Sequence, residues 1–349
     1  MALQQFTNLN FDDIKASIKS YLRANSNFSD MDFEGSNLSI LINILAYNSY
    51  STAYNTNMAV NETFIDSATL RENVVSLARN IGYVPRSRRA ARATVDVSFA
   101  GITSTTKQIT IQPGVIANGV VSNVNYIFSL PEEVTLLADD GDAQGRVEIY
   151  QGQYITNTFV VDNSNPSEKY VLANDGIDTS TINIKVRNSA SDNTTTQYKL
   201  VDNIVGVTSM SNIYLLQETS DEKYEVLFGD DIFGKKLQSG NIVSVSYIRT
   251  NGKSGNGVAQ FNFTGTIVDE DGASETDYSA FITAGEPSAN GDSIEPVESV
   301  KYYAPRLYSA QHRAVTANDY EAILPSIYPN IESVSAYGGE ELDLSLIHI

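Results

Sequence analysis

Residues 291–339 read GDSIEPVESVKYYAPRLYSAQHRAVTANDYEAILPSIYPNIESVSAYGG and carry the most specific pattern in the chain. Pro296 and Pro305 each fix their own φ and disfavour helix in the preceding residue, so a short helix is predicted between them. Thr316 is a hydroxyl N-cap for a second helix, which Pro325 is predicted to end. Spaced apolar residues then predict a strand that closes at the glycine pair: Ile331, Val334 and Ala336. The predicted order is therefore helix, helix, strand.

The composition of the chain bounds what it can be. It has 349 residues, no cysteine and a formal charge of −19. This length allows two or three domains with a large core, and the lack of cysteine fits assembly in a reducing cytoplasm without disulfides or thiolate metal sites. The first 93 residues hold nine basic and eight acidic residues, against 14 and 34 in the remainder. The acidic part should repel nucleic acid, and solubility is its simplest role.

Three helices are predicted before residue 86. Asn10 is the predicted N-cap of an amphipathic helix over residues 11–23, and Ser67 that of a third helix that ends at Gly82. Neither a signal peptide nor an apolar run long enough to span a bilayer is visible, so we expect a protein that is neither exported by a signal nor bound to a membrane.

The second predicted helix differs from the other two. Residues 35–61 contain no charged residue, although their apolar residues keep helical spacing. A surface helix normally has a charged face, so protein is expected to cover this one on most sides. An internal helix of a large domain and a subunit interface both fit. The candidate interface residues are Leu38, Leu41, Leu45, Tyr47, Tyr50 and Tyr54.

From Thr94 the apolar period changes to two, which predicts a succession of short strands in sandwich or barrel modules. Residues 224–258 follow as YEVLFGDDIFGKKLQSGNIVSVSYIRTNGKSGNGV. The glycines of this stretch fall where tight turns need a positive φ or a missing side chain, between strands at 225–228 and 242–249. A compact glycine-rich β module is expected here.

The only basic cluster consists of four arginines: Arg86, Arg88, Arg89 and Arg92. No aromatic residues alternate with them and no nucleic-acid-binding motif surrounds them. A charged linker and a surface for an acidic partner therefore fit better than contact with nucleic acid.

Two of these stretches together resemble the baseplate J-like family of contractile phage tails and related injection machines. The shared elements are the FGD..FG turn, the YIRTNG..GNG end, the APR....QHRAVT.NDYEA run and the terminal GGE. The resemblance implies structural roles for the motif residues Phe228, Gly229, Asp230, Gly234, Gly252, Pro305, Gln311, Arg313, Asp319 and Tyr320.

The N-terminal part narrows this resemblance. FDDIKASIKSYL, DFEGSNLSILINILAYNSY and ATLRENVVSLARNIGYVPRS are similar to the wedge subunit of T-even-type baseplates. The resemblance implies a virion structural protein that pairs with a second copy of itself and with other wedge subunits. It implies a ring around the tail hub that rearranges when the sheath contracts, and it makes the uncharged helix a candidate for an inter-subunit bundle.

Other chemistry fits the sequence less well. His312 lacks a nucleophile-elbow motif nearby, so a structural histidine is favoured over a catalytic one. Asp140 begins a partial calcium loop, but Gln151 stands where a bidentate Glu is needed, which favours a solvated turn. Asp230 and Asp231 could act as paired glycosidase carboxylates or make Asx turns beside Gly229. Arg306 and Arg313, near several tyrosines, suit interface contacts, with packing inside the domain as the alternative.

The end of the chain suggests a fragment. LSLIHI at residues 344–349 back-translates to a transposon end used in sequencing libraries, so we expect an artefact there and an N-terminal piece of a longer protein. His348 accordingly carries no functional argument.

The sequence thus predicts an α+β multidomain protein. The expected regions are a helical part over 1–92, a β-rich part over 93–285 and the start of an α/β module over 286–343. The favoured function is a non-enzymatic baseplate wedge subunit without cofactor, metal or nucleic acid, located in the virion tail. The alternatives are a β-rich adhesin and, less favoured, a tail-associated glycan hydrolase.

Overall fold

The computed structural model describes residues 7, 10–25, 36–103, 105–165, 168–201, 206–219, 222–311, 313–328, 331 and 333–338. Contacts between residues divide the chain into two compact units. The first, called the helical unit, comprises Met1–Tyr83, Val297–Ile327 and Ser333–Ile349. The second, called the β unit, comprises Val84–Pro296 and Tyr328–Glu332. The four-arginine segment therefore belongs to the β unit.

Five helices are described in the helical unit: α1 (Phe11–Asn25), α2 (Asn37–Asn61), α3 (Arg71–Asn80), α4 (Val297–Ala310) and α5 (Ala317–Ile327). The predicted cap of α1 is confirmed, because Asn10 Oδ1 accepts hydrogen bonds from the backbone N–H groups of Asp12 and Asp13 at 3.0 and 3.4 Å. At the start of α2, Ser36 Oγ accepts from the Ser39 N–H at 3.0 Å. Helix α1 packs against α2.

The predicted cap of α3 is wrong. Ser67 Oγ donates to the carbonyl of Asn61 instead, and the helix begins four residues later. The capping group is the carboxylate of Glu62, which accepts from the backbone N–H groups of Thr69 and Leu70 and from the side chains of Thr69 and Asn73. Burial favours the neutral carboxyl, but these hydrogen bonds outweigh it and lower the pKa of Glu62 to about 2.

Two prolines predicted to end helices lie inside them. Pro305 is in α4 and Pro325 is in α5. Pro305 cannot donate to the carbonyl of Lys301, and the adjacent carbonyl of Tyr302 accepts from Arg306 Nη1 at 2.8 Å. The apolar face of α4 offsets the loss, since it buries Val300 and Ala304 against α3 residues in one small core.

The predicted N-cap of α5 is confirmed, but the strand predicted after this helix is not found among the residues described there. Asp319 Oδ2 accepts from the Thr316 N–H at 2.8 Å, and Thr316 Oγ1 accepts from the Asp319 N–H at 3.4 Å, as in a capping box. Residues 331 and 333–338, which the structure describes, contain no strand. The backbone N–H of Ala336 donates instead to the side chain of Glu321.

The first sheet of the β unit has ten strands, and all its strand pairs are antiparallel. Its path β14-β3-β4-β6-β5-β2-β15-β16 is extended by β1, which pairs with β6 and β17. Its strands are β1 (Arg92–Ala100), β2 (Gln108–Ile111), β3 (Gly114–Val121), β4 (Val124–Leu130), β5 (Val134–Asp139), β6 (Asp142–Gln151), β14 (Phe261–Phe263), β15 (Ile267–Val268), β16 (Ser274–Glu275) and β17 (Ser279–Ala284).

The second sheet has the order β7-β13-β9-β10-β11-β12-β8, and only its β10–β11 pair is parallel. Its strands are β7 (Gln153–Val160), β8 (Tyr170–Leu172), β9 (Ile177–Arg187), β10 (Thr195–Leu200), β11 (Ile213–Glu218), β12 (Tyr224–Phe228) and β13 (Ile242–Arg249). The chain passes from one sheet to the other at Gly152, which has φ +140 and leaves no room for a Cβ beside the carbonyl of Arg249.

The predicted fold class is confirmed: N-terminal helices precede a β-rich middle, and further helices follow it. In β1 every second residue is buried, as the period of two predicts. The glycine-rich stretch, however, does not form a module of its own. Its strands β12 and β13 are separated by β9, β10 and β11 in the seven-stranded second sheet. The predicted domain limits themselves stay predictions.

Replacing Glu62 with Gln should destabilise the helical unit by about 1 kcal/mol at pH 7, because a charged cap is lost. The folded pKa lies below the unfolded value, so this stabilisation is complete above about pH 4.5 and is lost as the pH falls towards 2. Denaturant unfolding of the unmodified chain and of Glu62→Gln gives their free energies of unfolding at pH 7 and pH 3. The difference between the two should be smaller at pH 3. Glu72→Gln, on the exposed surface of α3, is the control. A gap that does not change with pH would contradict the cap.

Candidate assembly interface

Helix α2 is buried on one face only. Ser39, Ile42 and Ala46 are buried in the N-terminal half, and Asn57 and Asn61 continue that face in the C-terminal half. Part of the cover comes from the segment before α1, because the Thr7 N–H donates to Asn57 Oδ1 at 3.0 Å and Thr7 Oγ1 donates to the carbonyl of Ala53. The opposite side of α2 is open to solvent.

Large apolar side chains occupy the open side of the N-terminal half of α2. Their exposed fractions lie between 49% and 67%, and they are Ile40, Leu41, Ile44, Leu45 and Tyr47. Five such side chains within three helical turns form a contiguous apolar surface, because residues three and four apart are neighbours on a helix. We call these five residues the α2 patch. Patches of this kind on soluble proteins mark contact sites for other molecules.

The C-terminal half of α2 is polar but also uncharged. The hydroxyl of Thr52 donates to the carbonyl of Asn48, and that of Thr56 donates to the carbonyl of Thr52, each at 2.8 Å. These donors are satisfied inside the helix, so covering this half with protein would leave them paired. The whole open side of α2 can therefore be buried without desolvating a charge.

The sequence identified part of this surface. Leu41, Leu45, Tyr47 and Tyr54 are exposed as an interface would require, whereas Leu38 and Tyr50 are partly buried within the chain. Ile40 and Ile44, which are also exposed, lie outside the helical stripe that begins at Leu38 and were not among the predicted residues. The sequence does indicate Ile40 and Ile44 as candidates, because a helix without charged residues has no polar face from which apolar residues would be excluded.

The two arginines proposed as contact residues are exposed. Arg306 is stacked over Tyr302 at 3.6 Å from the ring centroid, within its own helix. Arg313 follows α4, and its backbone N–H donates to the carbonyl of Ala310. Gln311 ends α4 with φ +47, and Tyr320 is exposed on α5. A contact role for Arg306 and Arg313 stays a prediction, and His312 lies outside the described residues.

The four-arginine segment is organised around a buried carboxylate. Asp178 is fully buried, and it accepts from the Ala90 N–H at 2.8 Å and from the backbone and hydroxyl of Ser180 at 3.0 and 2.6 Å. The same segment pairs with the end of the β unit, where Arg89 and Asp292 exchange backbone hydrogen bonds. Asp178 thus joins the arginine segment to β9, and the backbone pairing of Arg89 joins the same segment to residue 292.

The arginine side chains face partners inside the same unit. Arg88 forms an ion pair with Glu222 at 3.1 Å. Arg92 donates to Ser180 Oγ and lies over the ring of Tyr150 at 5.0 Å. Burial, together with repulsion from Arg86, lowers the pKa of the Arg89 guanidinium. This arrangement gives the cluster a structural role inside the β unit.

The FGDDIFG motif forms a tight loop after β12. Asp230 Oδ1 accepts from the N–H groups of Ile232 and Phe233 at 3.0 and 2.9 Å, and these bonds lower the pKa of Asp230. Asp231 Oδ1 accepts from the Lys236 N–H at 2.9 Å. The aspartates therefore serve as turn residues, as the Asx alternative proposed.

The motif glycines and Phe228 have structural positions. A Cβ at Gly229 would lie 2.2 Å from the carbonyl carbon of Gly234, and Gly234 itself has φ +85. Gly252 has φ +66, and a Cβ there would approach the carbonyl of Asp292 to 2.8 Å. Phe228 packs edge to face with Tyr170 and Tyr198. Each of these residues is required by the local backbone or core.

Within the described ranges, no three His, Cys, Asp or Glu side chains are grouped as metal ligands, and no helix is both long and apolar enough to cross a bilayer. The partial calcium loop occupies the hairpin between β5 and β6, where Asp140 and Gly141 both have positive φ. This is the two-residue turn that hairpins favour.

Replacing Asp178 with Ala should destabilise the β unit by about 3 kcal/mol, because the buried N–H of Ala90 and the two partly buried donors of Ser180 lose their acceptor. Asp175 provides a matched control three residues away. It is 57% exposed in its ion pair with Arg249, so Asp175→Ala should cost less than about 1 kcal/mol. Denaturant unfolding followed by circular dichroism measures both. An equal loss of unfolding free energy in Asp178→Ala and Asp175→Ala would contradict the structural role of Asp178.

A family model and an individual protein that match this chain are of the same type. Residues 10–83 match the family model for the helical domain of gp6-like baseplate wedge proteins. The chain is 27% identical over 347 residues to baseplate wedge protein gp6 of Enterobacteria phage T4, which covers 92% of this chain and 50% of that protein. This chain thus spans about half the length of that relative.

A chain of the anti-feeding prophage baseplate, determined by cryo-EM, aligns over 100% of this chain and 70% of its own length, with 13% identity and a TM-score of 0.32. The α2 patch lies within residues 10–83, the region that is similar to the helical domain of gp6-like baseplate wedge proteins.

Proposed function

We propose that this chain is a structural subunit of a contractile phage tail baseplate, of the wedge type. The observation that carries the proposal is the α2 patch, an uncharged apolar surface inside the segment that matches the baseplate wedge helical domain. The similarity to gp6 of phage T4 across 92% of the chain supports the same assignment.

The proposed partners are a second copy of the chain and other wedge subunits. A patch of Ile, Leu and Tyr loses little solvation when it is covered, and burying it releases ordered water. The acidic β unit is poorly suited to such a contact, because like charges on two copies repel. The α2 patch is thus the part of the described surface best suited to join copies in a helical bundle.

The mechanism we propose is a change of packing. Because the open side of α2 carries no charge, a partner helix can occupy alternative positions without breaking an ion pair. Contacts that repack in this way suit a ring with one arrangement before sheath contraction and another after it. The role is structural and non-enzymatic, in the virion tail after assembly in the host cytoplasm, without cofactor, nucleic acid or membrane. Membership of the baseplate J-like family is part of this proposal.

The combined substitution Leu41→Asp and Leu45→Asp should weaken self-association of the purified full chain by more than about tenfold, because two buried carboxylates would replace apolar contacts. Sedimentation velocity over a concentration series measures the change, and circular dichroism checks that the helices remain.

Leu137→Asp is the control, since Leu137 is 81% exposed on β5 of the β unit. It should associate like the unmodified chain. If the unmodified chain stays monomeric at high concentration both alone and with neighbouring wedge subunits, the proposed function fails.

A further inference from the structure

A polar cleft lies where the chain passes from the first sheet of the β unit to the second. Its volume is about 620 Å³, within the range of about 300–1,000 Å³ that small-molecule sites occupy. The lining comes from β4, from the turn at Gly152, from the loop before β9 and from the end of β13. Most of the lining side chains are polar, and all of them belong to the β unit. The cleft is therefore formed within one compact unit.

Gln151 supplies the cleft with a hydrogen-bond donor that has no partner. The residue is 2% exposed, and its Oε1 accepts from the Thr250 hydroxyl at 2.8 Å and from the Asn251 N–H at 3.0 Å. Because a backbone N–H can only donate, the bond from Asn251 fixes which end of the amide is the oxygen. Nε2 is open to the cleft and forms no hydrogen bond with any residue that the structure describes. A ligand that brings an acceptor would satisfy this donor.

The Gln151 side chain is held in place by its surroundings. Gly255 lies so close that a Cβ there would be 2.6 Å from Gln151 Cγ. The Thr250 hydroxyl, which donates to Gln151, also accepts from the Gly252 N–H at 3.1 Å. The donor is therefore already oriented, and a ligand does not have to order it on binding.

Two arginines line the cleft, and each already has a carboxylate partner. Arg88 pairs with Glu222 at 3.1 Å, and Arg249 pairs with Asp175 at 2.6 Å. A guanidinium has five N–H donors, so donors remain beyond these pairs, and the Asp175 carboxylate can accept further hydrogen bonds. The two positive and two negative charges cancel. The cleft thus offers directed hydrogen bonds without a net charge that would attract an ion.

Exposed amide side chains complete the lining, and they are those of Asn125, Gln153 and Asn251. These three side chains form no hydrogen bond with any described residue. An amide both donates and accepts, as a hydroxyl does, so groups of this kind can bind neighbouring hydroxyls of one ligand. Tyr126 and Ile127 provide the apolar part of the lining. The composition suits a neutral ligand with several hydroxyl groups on a carbon ring.

We propose that this cleft binds a neutral saccharide, with Gln151 Nε2 donating to a sugar oxygen and the Asp175 carboxylate accepting from a neighbouring hydroxyl. An acidic ligand fits less well, because the guanidinium charges are already compensated. A protein segment also fits less well, since peptide grooves hold apolar side chains in pockets and this lining is mainly polar. The saccharide site goes beyond the proposed function, because it requires neither a second copy nor a wedge subunit.

Binding of the full chain to an array of neutral and acidic oligosaccharides tests the site. At least one neutral oligosaccharide should bind, and isothermal titration with it gives the dissociation constants of the unmodified chain and of Gln151→Glu. This variant keeps an oxygen for Thr250 and Asn251 but replaces the free donor with an acceptor, so the affinity should fall about tenfold. Gln197→Glu makes the same change at an exposed residue of β10 and should bind like the unmodified chain.

Asn125→Ala provides a second variant in case Gln151→Glu does not fold. Asn125 is exposed, so its replacement should leave the melting temperature unchanged and weaken the same binding about threefold.

Several results would overturn the saccharide site. They are binding of acidic saccharides only, no binding of any neutral saccharide at about 10 mM, and an unchanged affinity in Asn125→Ala and in folded Gln151→Glu. Amide exchange at Gln151 that slows with a purified wedge subunit but with no saccharide would also contradict it, because the cleft would then be a protein contact.

Discussion

The central constraint in this chain is the lack of any charge along the 25 residues of α2. Water solvates such a helix poorly, so burial must stabilise it, and α1 with its preceding segment provides burial on one side only. The remaining apolar side chains are held in place by the helix and cannot turn inward. The helical unit therefore has an exposed apolar surface, which is the surface that a partner would cover in the proposed function.

The β unit differs from α2 because it contains many charged residues. Asp178 is buried among them, and the nearby arginines contact residues of the same unit. The Asp178 carboxylate is matched by three donors, and the arginines around it contact residues 88 to 134 positions away in sequence. Removing this acceptor costs more than removing an exposed ion pair, because the buried Ala90 N–H would be left without a partner. The result is a β unit in which segments distant in sequence are held together through a buried carboxylate.

Local patterns predicted much of this fold. The Asn10 and Thr316 caps, the period of two in β1 and the extent of β13 all depend on neighbours within a few residues, which a sequence displays directly. The sequence also predicted α2 as a helix without charged residues. Its partly buried residues were not distinguished from its exposed ones, because the position of α1 decides which stripe is covered.

The predictions were wrong where a contact with another part of the chain overrode the rule that applies to neighbouring residues. Ser67 has the right chemistry for a cap, but it lies four residues before α3, and the charged Glu62 carboxylate accepts from the N–H groups of Thr69 and Leu70 just before the helix. Pro305 should end a helix by local rules, yet the packing of Val300 and Ala304 on α3 keeps α4 continuous through it. The role of the arginine cluster could not be predicted, since its carboxylate partners come from other strands and loops.

Amide hydrogen exchange of α2, measured on the full chain at two protein concentrations, tests the central claim most directly. If copies meet through the α2 patch, exchange in the N-terminal half of α2 should slow as the concentration rises, while exchange in β5, which carries the exposed Leu137, should not change. Exchange in α2 that is identical at both concentrations would contradict the account.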